Sequence, residues 1–596
     1  MITEQQKVWI FTFEYAGIIK VGGLGEVPAN QAKNLANQFD ITVFIPSHGQ
    51  IERLNNILPL EKLPFNSVGL LNPVQIGIDQ PESSYNIAFY KCKINNVNII
   101  LLSGQNEFTK RFLDDNTVYN PETINGKIFL FSIGMRSYIE YLIDHNKNSL
   151  PEIVHMHDYH VVIPFLSMKQ ILAKYGLDVK SIITIHLMSW PRYPIEFYRV
   201  CGIDDTPIKI KIKGESRLLT FNEIMSLAQD SRRSDEENHP PTVEKIGALI
   251  SDLVTTVSQS YLRTDIIPNL GGDLIEFKSD FIWDGCDWEY QEIYTNLMKK
   301  IEYEVRETLE FPNESSITLL DLKEYLLTYK IGNLDQSPLI NSKKIIETIN
   351  EISNGNQFVK NGKIKSFTES GPLAISTGRI SKQKGFEIIF EAIPEVIKVI
   401  PNAKFLLLIL PTDYSLEDIK AYSEVVKKYP NNLRIIFGVA SEVFHLAHLA
   451  ADVYCALSRW EPFGIIALEA MAVKLPIIAT KVGGLQESIL DIRNDPEYGT
   501  GILIEKDNTS QFTDALISLL RLVQIKDKVK ETGSLYETET LQMVNSIPDS
   551  IIKSRVLLDA DYIDKIRENS YNRVKFNFRW EIVSQKLIEL YQKLTN

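Results

Sequence analysis

Arg379 and Lys384 stand five residues apart in Thr377-Gly-Arg-Ile-Ser-Lys-Gln-Lys-Gly385. A planar guanidinium fork and an ammonium point charge at a helix start suit a diphosphate, although a solvated basic loop would hold the same residues. Glu461 and Glu469 stand eight residues apart in Glu461-Pro-Phe-Gly-Ile-Ile-Ala-Leu-Glu469. Pro462 favours a helix's first turn, which predicts Glu461 at the mouth of that helix. Glu469 then follows by two turns, about 12 Å along the axis. Ala467, Leu468, Ala470 and Met471 surround Glu469, so its carboxylate faces a cleft or is expensively buried. Two carboxylates so placed could hold hydroxyls at both ends of an elongated ligand.

Two glycine-rich turns accompany these charges. Gly22, Gly23 and Gly25 follow the first apolar run, beside Lys20. Gly483 and Gly484 precede a second predicted helix start at Leu485. Free amides at a helix N-terminus cradle an anion; simple tight packing would also account for the glycines. The first turn lacks G-x-G-x-x-G spacing, so no dinucleotide fingerprint is present. His155, His157, Asp158 and His160 cluster at the end of another apolar run, and His186 ends the next. His155 and His157 share a strand face, which raises zinc, but no fourth ligand accompanies them and no metal is expected. Asp158 and His186 are predicted to line a ligand cleft from strand ends.

Strands must present all of these groups. Residues 8–13, 40–46, 97–103, 152–157, 181–186 and 252–258 form one series of short apolar runs. Residues 373–377, 403–410, 433–438, 452–458, 475–480 and 501–505 form another. Rich in Val, Ile and Thr and without clean alternation, they predict strands buried on both faces. Helical patterns such as 386–400 lie between them, which predicts parallel sheets with right-handed crossovers and an α/β fold of two Rossmann-like domains. Ligands of such sheets sit at the carboxyl ends of the strands, where the charged loops fall. Residues 204–245, with the polar stretch 231–241, and residues 287–365 are predicted to be insertions or lids without further sheets. Residues 580–594 carry apolar positions at helical spacing.

Composition narrows the class. The chain has 596 residues, 44% hydrophobic and 23% charged, enough to build real cores and incompatible with general disorder. Its 63 Lys and Arg against 76 Asp and Glu give a net charge of −13, which argues against nucleic acid or an anionic membrane as partner. Cys92, Cys201, Cys286 and Cys455 are widely spaced, so neither a disulfide framework nor a metal knuckle is expected. The longest aliphatic run, Phe405 to Leu410, is too short to span a bilayer, and no secretory signal is visible. A soluble cytoplasmic protein is expected.

Together the motifs resemble the glycogen and starch synthases, retaining glycosyltransferases of the GT-B fold, whose two Rossmann-like domains face each other across a cleft. The resemblance rests on Lys20-Val-Gly-Gly-Leu-Gly-Glu-Val27, His157-Asp-Tyr-His160, Thr184-Ile-His186, Val257-Ser258, Thr377-Gly-Arg379 with Lys384-Gly385, Glu461-Pro-Phe-Gly464 and Val482-Gly-Gly-Leu485. They recur in the family's order and cover nearly the whole chain. Glu469 is present where bacterial ADP-glucose synthases usually lack the second Glu, which leans toward archaeal-like members. The family's interdomain Asn-Gly-Ile-Asp is replaced by Asp284-Gly-Cys-Asp287.

The resemblance implies a hexosyltransferase that moves glucose, with retention, from ADP-glucose or UDP-glucose to the non-reducing end of an α-1,4-glucan such as glycogen. It implies that Arg379 and Lys384 hold the diphosphate, that Glu461 holds the donor glucose hydroxyls and that Glu469 holds the donor ribose. Gly483, Gly484 and Leu485 would offer amides, and Lys20, Gly22 and Gly23 would close over the phosphates. Asp158 and His186 would line the glucose and acceptor side, His186 donating to the sugar. No cofactor and no metal are implied, since the nucleotide sugar is a substrate. Sucrose-phosphate, trehalose or surface-glycan synthesis on the same fold is an alternative, as is a silent glucan-binding protein; a homo-oligomer is compatible with either. The expected domains are 1–261, 262–575 and a C-terminal helix in 576–596 packing back on the first.

Overall fold

The computed structural model describes residues 5–71, 83–229, 239–312, 315–334, 342–354, 356, 364–438 and 440–595. The chain divides into two compact units, one of residues 1–285 and 580–596, the other of residues 286–579.

Unit 1 is built on a nine-stranded sheet. Its strands are β1 (Lys7–Phe11), β2 (Asp40–Pro46), β3 (Glu61–Leu71), β4 (Ser83–Ile94), β5 (Val97–Gly104), β6 (Ile153–His157), β7 (Lys180–Ile185), β10 (Leu253–Thr256) and β11 (Ser279–Phe281). A separate hairpin pairs β8 (Ile208–Ile212) with β9 (Glu215–Leu219). The sheet order is β11-β10-β7-β6-β1-β2-β5-β4-β3, parallel except at β3 and β4. Side chains alternate across β1: Trp9 and Phe11 enter one core, Val8 and Ile10 the other. Both faces are therefore buried, which is why the parallel strands are nearly continuous apolar runs. The helix Trp580–Thr595 supplies Leu587, Ile588 and Tyr591 to the core of Val8 and Ile10.

Unit 2 carries a six-stranded parallel sheet: β12 (Leu373–Arg379), β13 (Lys404–Leu410), β14 (Leu433–Phe437), β15 (Val453–Ala456), β16 (Ile477–Thr480) and β17 (Gly501–Ile504). Its order is β14-β13-β12-β15-β16-β17. The helices Tyr290–Thr308, Leu319–Thr328 and Lys343–Ser353 occupy the expected middle insertion. The second of them is anchored by Lys323, whose buried ammonium binds both oxygens of the buried Asp452 at 3.0 and 2.7 Å. Among the described residues no helix is long and apolar enough to cross a membrane.

Three expectations change. Residues 204–245 hold a sheet of their own after all, because Ile208, Ile210 and Ile212 alternate with lysines and bury one face of β8. Part of the polar stretch in that insertion, 230–238, lies outside the described residues, as does most of 354–363. The first unit runs to Gly285 rather than 261, because β11 pairs with β10 and extends the first sheet. Its second segment begins at Trp580, since the helix Tyr562–Asn577 belongs to unit 2.

Candidate active site

In unit 1 the strand order reverses between β1 and β6: β2 and β5 run outward on one side, β7, β10 and β11 on the other. A crevice opens at the carboxyl ends of strands at such a point. The loop after β1 is organised by Glu14, a carboxylate 2% exposed. Its Oε2 accepts the Val21 and Gly22 amides at 2.6 and 3.1 Å, and its Oε1 accepts the Tyr119 hydroxyl. Burial first, then the Glu14 charge, pushes the Tyr119 phenol well above its ordinary pKa. Lys20 is half exposed and pairs with Glu26 at the start of the helix Glu26–Leu35. A methyl group on Gly22 would meet nothing within 4 Å, so the turn is open on that side.

Asp158 follows β6 with φ at +61°, a strained left-handed value for a non-glycine residue. Its Oδ1 accepts the His186 amide at 2.7 Å. Burial raises the Asp158 carboxyl to about 8, against the pull of the His186 and Leu187 amides, with Glu244 and Glu14 adding repulsion. Behind it, His157 Nδ1 and His186 Nε2 share a hydrogen bond of 2.9 Å, which leaves Nδ1 of His186 for any sugar contact. His155 is saturated by the Tyr591 and Thr184 hydroxyls at 2.8 and 2.7 Å, so it is no zinc ligand. Burial lowers His155 and His186 to about 3, and His157 well below its ordinary value. These imidazoles are neutral at pH 7. Among the described residues no group of three or more His, Cys, Asp or Glu side chains is placed to hold a metal ion.

In unit 2 the order reverses between β12 and β15. Arg379 ends β12 with an exposed side chain. Lys384 and Glu461 meet at 2.6 Å, Nζ to Oε2, and Ser458 Oγ donates to the same oxygen at 2.9 Å. The turn after β16 packs directly on the backbone of Glu461 and Pro462. The Gly484 amide donates to the carbonyls of Glu461 and Pro462, and a Cβ on Gly483 would fall 1.6 Å from the Glu461 carbonyl oxygen. Only glycine fits there.

Two expectations about this half require correction. The helix bearing Glu469 begins at Ile465 and is capped by the left-handed Gly464, so Pro462 and Glu461 lie in the loop before it. The two-turn helical spacing therefore fails; Glu469 is half-buried one turn inside the helix, and its charge is felt by the buried Tyr454 and Cys286. The amides of Gly484 and Leu485 are already engaged inside the turn, the latter with the Val482 carbonyl, and the helix they precede has four residues, Leu485–Ser488. Those two N–H groups hold the loop and are not free for phosphate.

Thus Lys20, Gly22 and Gly23 share one loop with Glu14 at the strand ends of unit 1, and Asp158 with His186 forms a second group there. Arg379, Lys384, Glu461 and the Gly483–Leu485 turn gather at the strand ends of unit 2. Sequence reasoning missed Glu14, whose one signal is an acidic residue directly after the largely apolar run 8–13.

Residues 7–276 match the family model of the starch synthase catalytic domain, and residues 359–534 that of glycosyl transferases group 1. A glycogen synthase of Thermodesulfovibrio yellowstonii is 23% identical over 586 residues, 96% of this chain and 95% of its own length. One of Protochlamydia amoebophila is 22% identical over 597 residues, 98% of each chain. Among solved structures, the catalytic domain of starch synthase IV from Arabidopsis thaliana, bound to ADP and acarbose, is similar at a TM-score of 0.62 and 18% identity over 99% of both chains. The chain belongs to the glycogen and starch synthase family, hexosyltransferases of the GT-B fold.

Proposed function

We propose that the protein transfers glucose, with retention, from a nucleotide-diphosphate glucose to the non-reducing end of an α-1,4-glucan. The observation that carries this reading is the Lys384–Glu461 pair beneath the Gly483 turn, at the strand reversal of unit 2. A cation and a hydroxyl-binding carboxylate, locked against each other, can hold a glycosyl diphosphate across the bond that breaks. Breaking it puts negative charge on the diphosphate, which Arg379 and Lys384 answer as fixed cations. In this reading no metal is needed. Glu461 holds the glucose hydroxyls and Glu469 the ribose.

On the acceptor side, Asp158 with a carboxyl near 8 is largely protonated at neutral pH and can donate a hydrogen bond. His186 is neutral and can donate from one ring nitrogen. The departing phosphate oxygen takes the proton of the attacking hydroxyl on the same face, which preserves the anomeric configuration. Starch synthase IV, solved with ADP and acarbose, supports this class of donor and acceptor. The four cysteines are free and buried, as suits the reducing cytoplasm where we place the enzyme.

The test is donor profiling: ADP-glucose against UDP-glucose with glycogen primer, following released nucleoside diphosphate and label in polymer. Glucan-dependent release from one donor is expected. Release from neither, with glycogen or maltooligosaccharides, would reject the reading.

A further inference from the structure

The loop after β7 has features that the proposed roles do not use. Trp190, four residues beyond His186, is 44% exposed and sits at φ +60°. A bulky residue in the left-handed region is rare and persists only where its surroundings enforce it. Here they do. Glu244, 1% exposed, accepts both the Ser189 and the Trp190 amides on Oε1, each at 2.9 Å. The Tyr261 hydroxyl accepts the Met188 amide at 3.0 Å. The Pro191 carbonyl accepts the Val243 amide, and Arg192 bridges to Thr242. Residues 189–192 are thereby fixed to the start of the helix Val243–Ile250, and Met188 to Tyr261. Both amides converge on Oε1 of this buried carboxylate, and removing it would leave them unsatisfied.

A fixed backbone that spends strain to leave an indole in solvent is a recognition surface rather than a packing solution. An indole offers a flat apolar face with a polar edge, which matches the C–H face of a pyranose whose hydroxyls point outward. Four residues of chain confine Trp190 to within about 14 Å of His186. The nearby Arg192 is turned to the backbone, donating to the Pro240 carbonyl.

We infer that Trp190 is a stacking platform for a glucosyl unit of the acceptor chain, and that Glu244 is the positioning residue that holds it there. The inference rests on the glucan-synthase reading above and deepens it.

Steady-state kinetics with maltooligosaccharides of increasing length, at saturating donor, test it. Trp190→Ala is expected to raise the KM for long acceptors at least 10-fold, while the KM for the donor moves less than two-fold. Trp190→Tyr, which keeps a flat ring, is expected to restore most of the loss. Glu244→Ala frees both amides and is expected to reproduce the acceptor defect; Glu244→Gln, which keeps the accepting oxygen, is expected to rescue it. An acceptor KM within two-fold of wild type in Trp190→Ala, in an enzyme that elongates glucans, overturns the platform. Failure of Glu244→Gln to rescue a folded Glu244→Ala phenotype overturns the positioning role. A wild-type enzyme that elongates no glucan removes the parent reading and this one with it.

Discussion

Acidification should destabilise unit 1 through its buried histidines. His48, His155, His157, His160 and His186 are all buried there, and burial is the first cause of the lowered pKa of each. Four of them fall to about 3 and His157 lies well below its ordinary value. A folded pKa below the unfolded one means that the unfolded chain takes up protons first, so stability falls as pH drops below 6.5. At pH 5 each such histidine costs about 2 kcal/mol, or about 10 kcal/mol for the five. Asp158, raised to about 8, works the other way: the folded state already holds its proton, and it returns about 3 kcal/mol between pH 7 and 5. Glu244 and Asp114, also raised by burial, act in the same sense as Asp158. The net loss is about 5–7 kcal/mol, comparable to the whole stability of a domain. Thermal unfolding followed by far-UV circular dichroism, at fixed ionic strength, should show a midpoint about 15 °C lower at pH 5 than at pH 7. Denaturant titrations near pH 5.5 should give about three protons taken up on unfolding, and His155→Gln should remove about one of them. A stability that is flat or rising from pH 7 to 5 would refute the buried-neutral assignment of these rings.

Other outcomes follow from single contacts. Arg379→Ala should lower kcat by about 100-fold or more with the fold intact; near-wild-type turnover would remove its leaving-group role. Gly483→Ala places a methyl group 1.6 Å from the Glu461 carbonyl oxygen, so the loop must move and kcat/KM for the donor should collapse; unchanged donor kinetics would show the turn to be irrelevant. Glu14→Ala releases the Val21 and Gly22 amides and should raise the donor KM more than it lowers kcat, measured at saturating glucan. Lys323→Met leaves Asp452 buried at 3% exposure without its main partner and should destabilise the chain by about 3–5 kcal/mol in denaturant titration.

The parallel sheets were legible in the chain because strands covered on both faces must be apolar throughout. β2 spans 40–46 as expected, and the other eleven expected runs differ from their strands by a few residues at most. β3 was not legible for the same reason: only Ser67 is buried, the half-buried Leu63, Phe65, Gly69 and Leu71 alternate with exposed positions such as Val68, and the strand pairs antiparallel at an edge. β8 shows perfect alternation, Ile-Lys-Ile-Lys-Ile, but lies inside a stretch whose polarity suggested a loop. The candidate site was legible where charged residues stood at or directly after strand ends, as at Arg379 and Asp158. It was illegible where a carboxylate serves the backbone of a distant loop. Nothing around Glu244 marks it as the partner of Ser189 and Trp190, and nothing around Glu14 points to Tyr119, 105 residues on. Such contacts exist only once the sheet has brought the loops together.

The helix Trp580–Thr595 packs Leu587, Ile588 and Tyr591 into a core that the first strand, β1, also lines. On the ribosome those two elements are made far apart in time. After Gly285 has been joined, roughly 300 residues of unit 2 must be polymerised before Trp580, which takes about 15–60 s at ordinary translation rates. Throughout that interval the groove beside Val8, Ile10 and Leu35 has no helix in it, and His155 lacks its Tyr591 hydroxyl. The nascent first unit therefore offers a helix-sized apolar slot to whatever is nearby. Protection of that slot, by a chaperone or by slow local folding, becomes part of making the enzyme.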